Sequence, residues 1–74
     1  ETTSNRLYLG NLPRDVTKHD VERHFQPIGG IFEIRLMNGF GFIEYNHAID
    51  ARAAVTTLHG SEFMGERLVV NFAR

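Results

Sequence analysis

The sequence predicts an α+β sandwich: a four-stranded antiparallel sheet, with strand order 4-1-3-2, that carries two helices on one of its faces. Four segments of the 74-residue chain alternate apolar and polar residues as strands do, and two carry apolar residues at helical spacing. Their order along the chain is β-α-β-β-α-β. Between the second and third strands, Asn38-Gly39 is a strong hairpin signal, because a type I′ turn needs positive φ at both central residues.

The first half of the chain supplies one strand and one helix. Residues 6–12 alternate apolar and polar side chains, and Pro13 ends this strand. Residues 16–25 open as a helix, because Thr17 is a suitable N-cap and Asp20 lies three residues on, where its carboxylate can complete a capping box. The apolar stripe of this helix consists of Val21, Phe25 and Ile28.

The second half supplies three strands and the second helix. Residues 31–37 and 40–45 form the hairpin, and a helix follows that is capped at Asn46 or a neighbour and ends before Gly60. A loop then leads to the fourth strand, residues 67–74. Two interleaved split βαβ units with right-handed crossovers make this a ferredoxin-like arrangement, and its sheet has one face without helices.

The register of the hairpin predicts which side chains lie on that open face. In a two-residue hairpin Arg35 pairs with Phe42 and shares its face. Met37 likewise pairs with Phe40 on the same side. If the phenylalanines faced the helices, Arg35 would be buried with them, and an unpaired buried charge is costly. The phenylalanines are therefore predicted to face solvent, and the same alternation places Tyr8 of the first strand beside them. The side chains predicted to face inward are Leu7, Leu9, Ile34, Leu36, Ile43 and Tyr45.

Three aromatic rings, those of Tyr8, Phe40 and Phe42, are thus expected on the open face of the two central strands. Single exposed aromatic residues are common on protein surfaces and need no functional explanation. Three on adjacent strands are less expected by chance, and Gly10 and Gly41 leave the nearby backbone without side chains. A flat aromatic surface suits nucleobases, since each base stacked on such a ring contributes roughly 1–3 kcal/mol.

Composition limits the classes of function. The chain has no cysteine, which excludes disulfides and thiolate chemistry, and no apolar run approaches the length of a membrane span. No signal-peptide pattern is present. The formal net charge is −1, whereas nucleic-acid-binding domains tend to be basic, so a nucleic-acid function must depend on local features. Residues 1–5 are predicted to be a flexible leader and residues 6–74 the folded domain.

Two segments resemble the signature motifs of the RNA recognition motif family. NGFGFIEY, residues 38–45, fits the octapeptide pattern basic-Gly-aromatic-Gly/Ala-aromatic-aliphatic-x-aromatic in every position except the first. LYLGNL, residues 7–12, resembles the companion hexapeptide of the first strand. The resemblance implies that Tyr8, Phe40 and Phe42 stack RNA bases. It also implies a phosphate-contacting role for position 38, where this chain has Asn38 in place of a Lys or Arg.

Within that family, the segments DVERHF, LMNGFGF and GERLVVNFAR resemble the first RNA recognition motif of serine/arginine-rich splicing factors. This resemblance implies a single-stranded RNA-binding module of a nuclear pre-mRNA splicing or processing factor. Shuttling to the cytoplasm is left open, and so is binding to other processing factors. The isolated domain is expected to be monomeric, away from membranes and without a cofactor.

Polar and charged residues complete the predicted RNA-binding site. Arg6, Arg35 and Arg67 fall on the outer side of their strands and Arg74 ends the fourth, where they could hold phosphates. Ordinary solvated surface arginine is the alternative, and for Arg67 the two interpretations are about even. Asn71 is the expected base-edge contact. Glu33 and Glu44 face each other across the hairpin and should repel RNA there. The predicted RNA-binding residues are Tyr8, Phe40, Phe42, Arg6, Arg35, Asn38, Met37, Arg67, Asn71 and Arg74.

Other functions have weaker support in the sequence. Asp20 and His24 lie one helical turn apart, but two such residues without a third ligand are more often ordinary solvated side chains than a metal site. No catalytic triad, Cys/His pair or phosphate-binding glycine loop occurs at usable spacing, so no enzyme activity and no metal are expected. The alternative is a protein-interaction domain that uses its helical face. Phe63 and Met64 could form a small apolar contact for a partner, or pack against the second helix.

Overall fold

The computed structural model describes residues 4–73 and contains the predicted order of elements. The first five elements are β1 (Arg6–Gly10), α1 (Lys18–Phe25), β2 (Ile31–Leu36), β3 (Phe40–Tyr45) and α2 (Ala48–Leu58). Three short strands follow: β4 (Glu62–Phe63), β5 (Glu66–Arg67) and β6 (Val69–Phe72). The main sheet is antiparallel with the order β2-β3-β1-β6, which confirms the predicted order 4-1-3-2 with β6 as the fourth strand.

The core lies between the sheet and both helices, as the alternation of apolar residues predicted. Leu7, Ile43 and Tyr45 are fully buried on one side of the sheet, whereas Ile34 and Leu36 of the edge strand β2 are only partly buried. The Tyr45 hydroxyl donates a hydrogen bond of 2.7 Å to the Phe25 carbonyl at the end of α1. The buried core residues are Leu7, Leu9, Leu12, Val21, Phe25, Ile43, Tyr45, Ala51, Ala54, Phe63, Leu68 and Val70.

The helix ends largely confirm the sequence signals. Thr17 and Asp20 form the expected capping box: the Asp20 N–H donates to the Thr17 hydroxyl, and the Thr17 N–H donates to the Asp20 carboxylate, both at 3.1 Å. The second helix has His47 as its N-cap, the neighbour of Asn46, without a side-chain hydrogen bond. It ends before Gly60, whose φ of 81° is readily adopted by glycine.

The β2–β3 turn has the predicted register but not the predicted backbone conformation. Arg35 pairs with Phe42, and the Met37 N–H donates to the Phe40 carbonyl at 2.8 Å. Of the two central residues, however, only Gly39 has a positive φ, 83°, so the type I′ expectation was wrong. The Gly39 carbonyl instead accepts a hydrogen bond of 3.0 Å from the Leu12 N–H, which holds the turn against the β1–α1 loop.

The fourth strand of the sheet is shorter than residues 67–74. Residues 62–63 and 66–67 pair as a separate small hairpin, and the Leu68 N–H donates to the Ser61 carbonyl at 2.8 Å. Because these pairings occupy the backbone through Leu68, strand β6 begins only at Val69. Arg67 therefore lies outside the main sheet, which corrects its predicted position on the open face.

The two ends of the predicted domain are described only in part. Within the predicted leader, the Asn5 carbonyl accepts a hydrogen bond of 2.9 Å from the N–H of Tyr45, the last residue of β3. The Asn5 side-chain amide also donates to the Asn46 carbonyl at 3.2 Å. Residues 1–3 and Arg74 lie outside the described residues, so the boundary after residue 5 and the phosphate contact by Arg74 stay predictions.

Candidate nucleic-acid interface

Three aromatic rings meet on the face of the sheet opposite the helices. Tyr8 of β1 pairs directly with Phe42 of β3, and their ring centroids lie 6.0 Å apart. Phe40 lies 6.1 Å from each of the other two rings and is nearly parallel to Tyr8, with an interplanar angle of 26°. All three side chains keep solvent exposure. We call Tyr8, Phe40 and Phe42 the aromatic triad; the structure places its members as the alternation of the strands predicted.

The two glycines near the aromatic triad have different roles. A Cβ at Gly10 would lie 3.0 Å from the Tyr8 ring, so a side chain at this position would crowd that ring on the open face. Gly41 pairs with Leu36 on the inner side of the sheet, where a Cβ would lie 2.6 Å from the Arg35 carbonyl. Gly10 therefore shapes the open face, and Gly41 permits close packing beneath it.

The three predicted arginines among the described residues already have partners within the domain. The Arg6 guanidinium lies 5.3 Å from the centroid of the Phe42 ring, a cation–π arrangement. Arg35 donates to the Glu33 carboxylate at 3.1 Å, and both side chains are largely exposed. Arg67 donates to the Gly60 carbonyl at 3.2 Å within the small hairpin region. Arg6 and Arg35 thus lie beside the aromatic triad, where Phe42 and Glu33 already interact with their charges. Arg67 lies away from the triad.

Acidic residues occupy one end of the open face. Glu33 and Glu44 are directly paired across β2 and β3, which confirms the register predicted for them. The ion pair with Arg35 offsets the charge of Glu33, whereas Glu44 has no ion pair among the described residues. Glu44 also lies directly opposite Arg6 in the register of β1 and β3, so this end of the face carries two carboxylates beside two arginines and is close to neutral.

The neutral candidates lie around the aromatic triad. Asn71 of the edge strand β6 pairs with Tyr8, is exposed, and makes no side-chain hydrogen bond to the described residues. Met37 is 44% exposed beside Phe40, and Asn38 is exposed in the turn that follows. These three side chains are therefore available to a ligand that covers the rings.

One cation near this face was not among the predicted contacts. Arg14 lies in the β1–α1 loop, which the Leu12–Gly39 hydrogen bond joins to the β2–β3 turn. Together with Leu12, Asn38 and Gly39 it lines an open cleft beside the turn. Its sequence signal is weak, since a single basic residue soon after a strand is common; the long-range hydrogen bond is what brings it to this position.

The metal and peptide-binding alternatives find little support in the contacts. Asp20 is used by the capping box, and the His24 Nε2 lies 3.0 Å from the Ser61 hydroxyl. Burial lowers the pKa of His24. Phe63 is buried and its ring lies 4.9 Å from that of His24, so it packs on the first helix and leaves Met64 exposed. Within residues 4–73 no group of three or more His, Cys, Asp or Glu could hold a metal ion. In the same range no helix is long and apolar enough to cross a membrane.

A four-stranded sheet with exposed aromatic residues on its central strands defines a class of single-stranded nucleic-acid-binding modules. The family model described as RNA recognition motif matches residues 7–69, and the chain belongs to this family. Since RNA recognition motifs are binding modules, the match confirms the expectation that the domain is not an enzyme.

The similar proteins include serine/arginine-rich splicing factors, as the sequence segments suggested. Human serine/arginine-rich splicing factor 4 is 44% identical over 69 residues, 93% of this chain and 14% of that protein. Serine-arginine protein 55 of Drosophila melanogaster is 44% identical over 70 residues, 95% of this chain and 19% of that protein. The chain thus spans less than a fifth of either relative. A solved Nab3 RNA recognition motif, from work on cis element recognition of non-polyadenylated RNAs, is 34% identical with a TM-score of 0.87, and 93% of each chain is covered.

Proposed function

We propose that this chain is a single-stranded RNA-binding module in which bases stack on the aromatic triad. The observation that carries the proposal is the placement of three rings, 6.0–6.1 Å apart, on the open side of the two central strands. Apolar side chains on the other side of these strands are fully buried, so the rings are not needed to complete the core. Family membership supports the same conclusion, since related sheets stack two or three bases.

Affinity should come mainly from stacking, with a small electrostatic part. Each stacked base contributes roughly 1–3 kcal/mol whatever its identity, because every base has a π-face. Arg6 and Arg35 already interact with Phe42 and Glu33, and the net charge is −1. Few phosphates are therefore neutralised, and the salt dependence of binding should be shallow. The amide of Asn71, beside Tyr8, is the proposed contact to a base edge.

The proposed setting is a nuclear pre-mRNA splicing or processing factor. It is supported by the identity to two serine/arginine-rich proteins over nearly the whole chain. The domain would place the rest of such a protein on a short RNA sequence. Binding to other processing factors and shuttling to the cytoplasm belong to the same proposal.

Replacing the ring of Tyr8 or Phe42 by Ala tests the function. Each substitution should weaken binding of a fluorescein-labelled RNA hexamer roughly 5- to 150-fold, which is the loss of one stack. Phe32→Ala is the matched control: Phe32 is 67% exposed on β2, and no ring contact joins it to the aromatic triad. Fluorescence anisotropy measures the affinity, and circular dichroism checks that each variant is folded.

The outcomes separate the two functions considered. If folded Tyr8→Ala and Phe42→Ala bind RNA as the wild type does, stacking on this face is refuted. A protein-interaction site on the helical face would also be indifferent to both substitutions. Loss of RNA binding in these two variants, with Phe32→Ala unchanged, supports the proposed function.

A further inference from the structure

The cleft beside the β2–β3 turn has the size and the position to extend the RNA-binding face. Its volume is ≈ 710 Å³, within the roughly 300–1,000 Å³ of small-ligand sites. The hydrogen bond from the Leu12 N–H to the Gly39 carbonyl fixes its two walls relative to each other. Phe40 follows Gly39 directly in the chain, so the cleft begins where the aromatic triad ends.

Arg14 gives this cleft a positive charge that is not engaged elsewhere. Its side chain is exposed, and no hydrogen bond or ion pair joins its guanidinium to another of the described residues. The side chains that line the cleft with it include no carboxylate; Asp15, its exposed neighbour in the chain, is not part of the lining. Arg6 and Arg35, in contrast, lie against Phe42 and Glu33.

The acidic end of the open face lies away from the cleft. Glu44 follows Phe40 by four residues along β3, which is about 13 Å at roughly 3.3 Å per residue. This separation exceeds the Debye length of about 8 Å at physiological ionic strength, so repulsion from Glu44 is largely screened at the cleft. The cleft lining at the turn carries Arg14 and no carboxylate, whereas Glu33 and Glu44 at the other end lie beside Arg35 and Arg6. The local charge is therefore more positive at the turn than at the Glu33/Glu44 end.

We infer that the cleft holds the phosphate of the nucleotide next to the base stacked on Phe40, with Arg14 as its charged contact. The guanidinium can bind two phosphate oxygens at once, and the Asn38 amide on the opposite wall supplies a further donor. The family pattern has a basic residue at position 38; in this chain the charge at the same cleft comes from the β1–α1 loop instead. The inference rests on the proposed RNA-binding function, and it adds the direction in which the RNA chain leaves the sheet.

The salt dependence of RNA binding tests the role of Arg14. One phosphate contact to a single strand contributes about 0.7 to the slope of log K against log salt concentration. Arg14→Gln should therefore lower the slope, measured with a random-sequence RNA hexamer, by about 0.7. When the salt concentration rises from 50 to 200 mM, the affinity of the wild type should therefore fall by a factor about 2.6 times larger than the affinity of Arg14→Gln does. Arg52→Gln, an exposed arginine on α2, is the control and should keep the wild-type slope.

A second readout reports on the guanidinium directly. On addition of the hexamer, the Nε–H resonance of Arg14 should shift in the NMR spectrum of the wild-type chain, and that of Arg52 should not. An unchanged slope for Arg14→Gln refutes the phosphate contact, and the proposed function stands as long as Tyr8→Ala still weakens binding of the hexamer as described above. If the wild-type chain does not bind the hexamer at all, both the contact and the proposed function are refuted.

Discussion

Tyr45→Phe removes one oxygen atom from the core and provides a quantitative test of how the sheet is joined to the first helix. Tyr45 is fully buried, and its hydroxyl donates to the Phe25 carbonyl at 2.7 Å. That carbonyl also accepts from the Ile28 N–H at 3.1 Å, so it keeps one partner after the substitution. The loss should therefore be that of a typical hydrogen bond, about 1 kcal/mol, and not the larger cost of an orphaned buried group. For a domain of this size, the melting temperature should fall by about 4–8 °C.

The same substitution predicts an unusual dependence on pH. Burial, followed by the charge of Asp50, raises the pKa of Tyr45 well above its ordinary value near 10. Above about pH 10 the unfolded chain releases this proton and the folded chain keeps it, so the stability that Tyr45 contributes decreases as the pH rises. The decrease reaches about 1.4 kcal/mol at pH 11, at up to 1.36 kcal/mol per unit of pH. The wild type and Tyr45→Phe should thus become equally stable at about pH 10.7, and above it the variant should be the more stable.

Urea unfolding at pH 7, 10 and 11.5, followed by circular dichroism, measures these differences. Tyr8→Phe is the matched control, because Tyr8 is partly exposed and no hydrogen bond joins its hydroxyl to another of the described residues; its stability should match that of the wild type at pH 7. RNA binding of Tyr45→Phe at pH 7 should be unchanged, since Tyr45 faces the helices. A stability gap between wild type and Tyr45→Phe that stays constant from pH 7 to 11.5 would refute the reasoning.

Two further substitutions test the inner and the outer side of the sheet. Gly41→Ala should cost roughly 1–3 kcal/mol in urea unfolding, because its Cβ would meet the backbone carbonyl of Arg35 at 2.6 Å; wild-type stability would contradict the packing described. Glu33→Gln should free Arg35 from its ion pair and so strengthen binding of the RNA hexamer, with a salt slope steeper by about 0.7. A slope equal to that of the wild type would show that Arg35 does not contact phosphate.

Much of the architecture could be derived from local patterns in the chain. Alternation places every second side chain of a strand on one face, and a two-residue turn leaves a single register between β2 and β3. The cost of burying Arg35 then decides which face is open, and with it the position of the aromatic triad. Similarly, the capping box of Thr17 and Asp20 depends on residues only three positions apart. Each of these features is set by neighbours within a few residues and by burial energies of several kcal/mol.

The surroundings of the charged side chains could not be derived in the same way. Alternation indicates the face on which Arg6 and Arg35 lie, but not that one rests on Phe42 and the other pairs with Glu33. Exposed ion pairs contribute about 1 kcal/mol or less, so no strong preference for one partner is recorded in the residue pattern. The predicted start of the fourth strand, residue 67, was wrong because residues 66–67 pair with residues 62–63 instead of with β1. That pairing needs a turn at Met64-Gly65 with positive φ at both residues, 53° and 85°, and a positive φ is uncommon for a methionine.

The amino-acid pattern alone was enough to establish the order of elements, the buried face and the three exposed rings, because those follow from strand periodicity and from the cost of an unpaired buried charge. The cleft at Arg14 became visible only in the folded chain. It depends on a hydrogen bond between Leu12 and Gly39, which are 27 positions apart in sequence and which no local preference of either residue brings together. Contacts of this kind form only after the sheet has placed the two loops side by side.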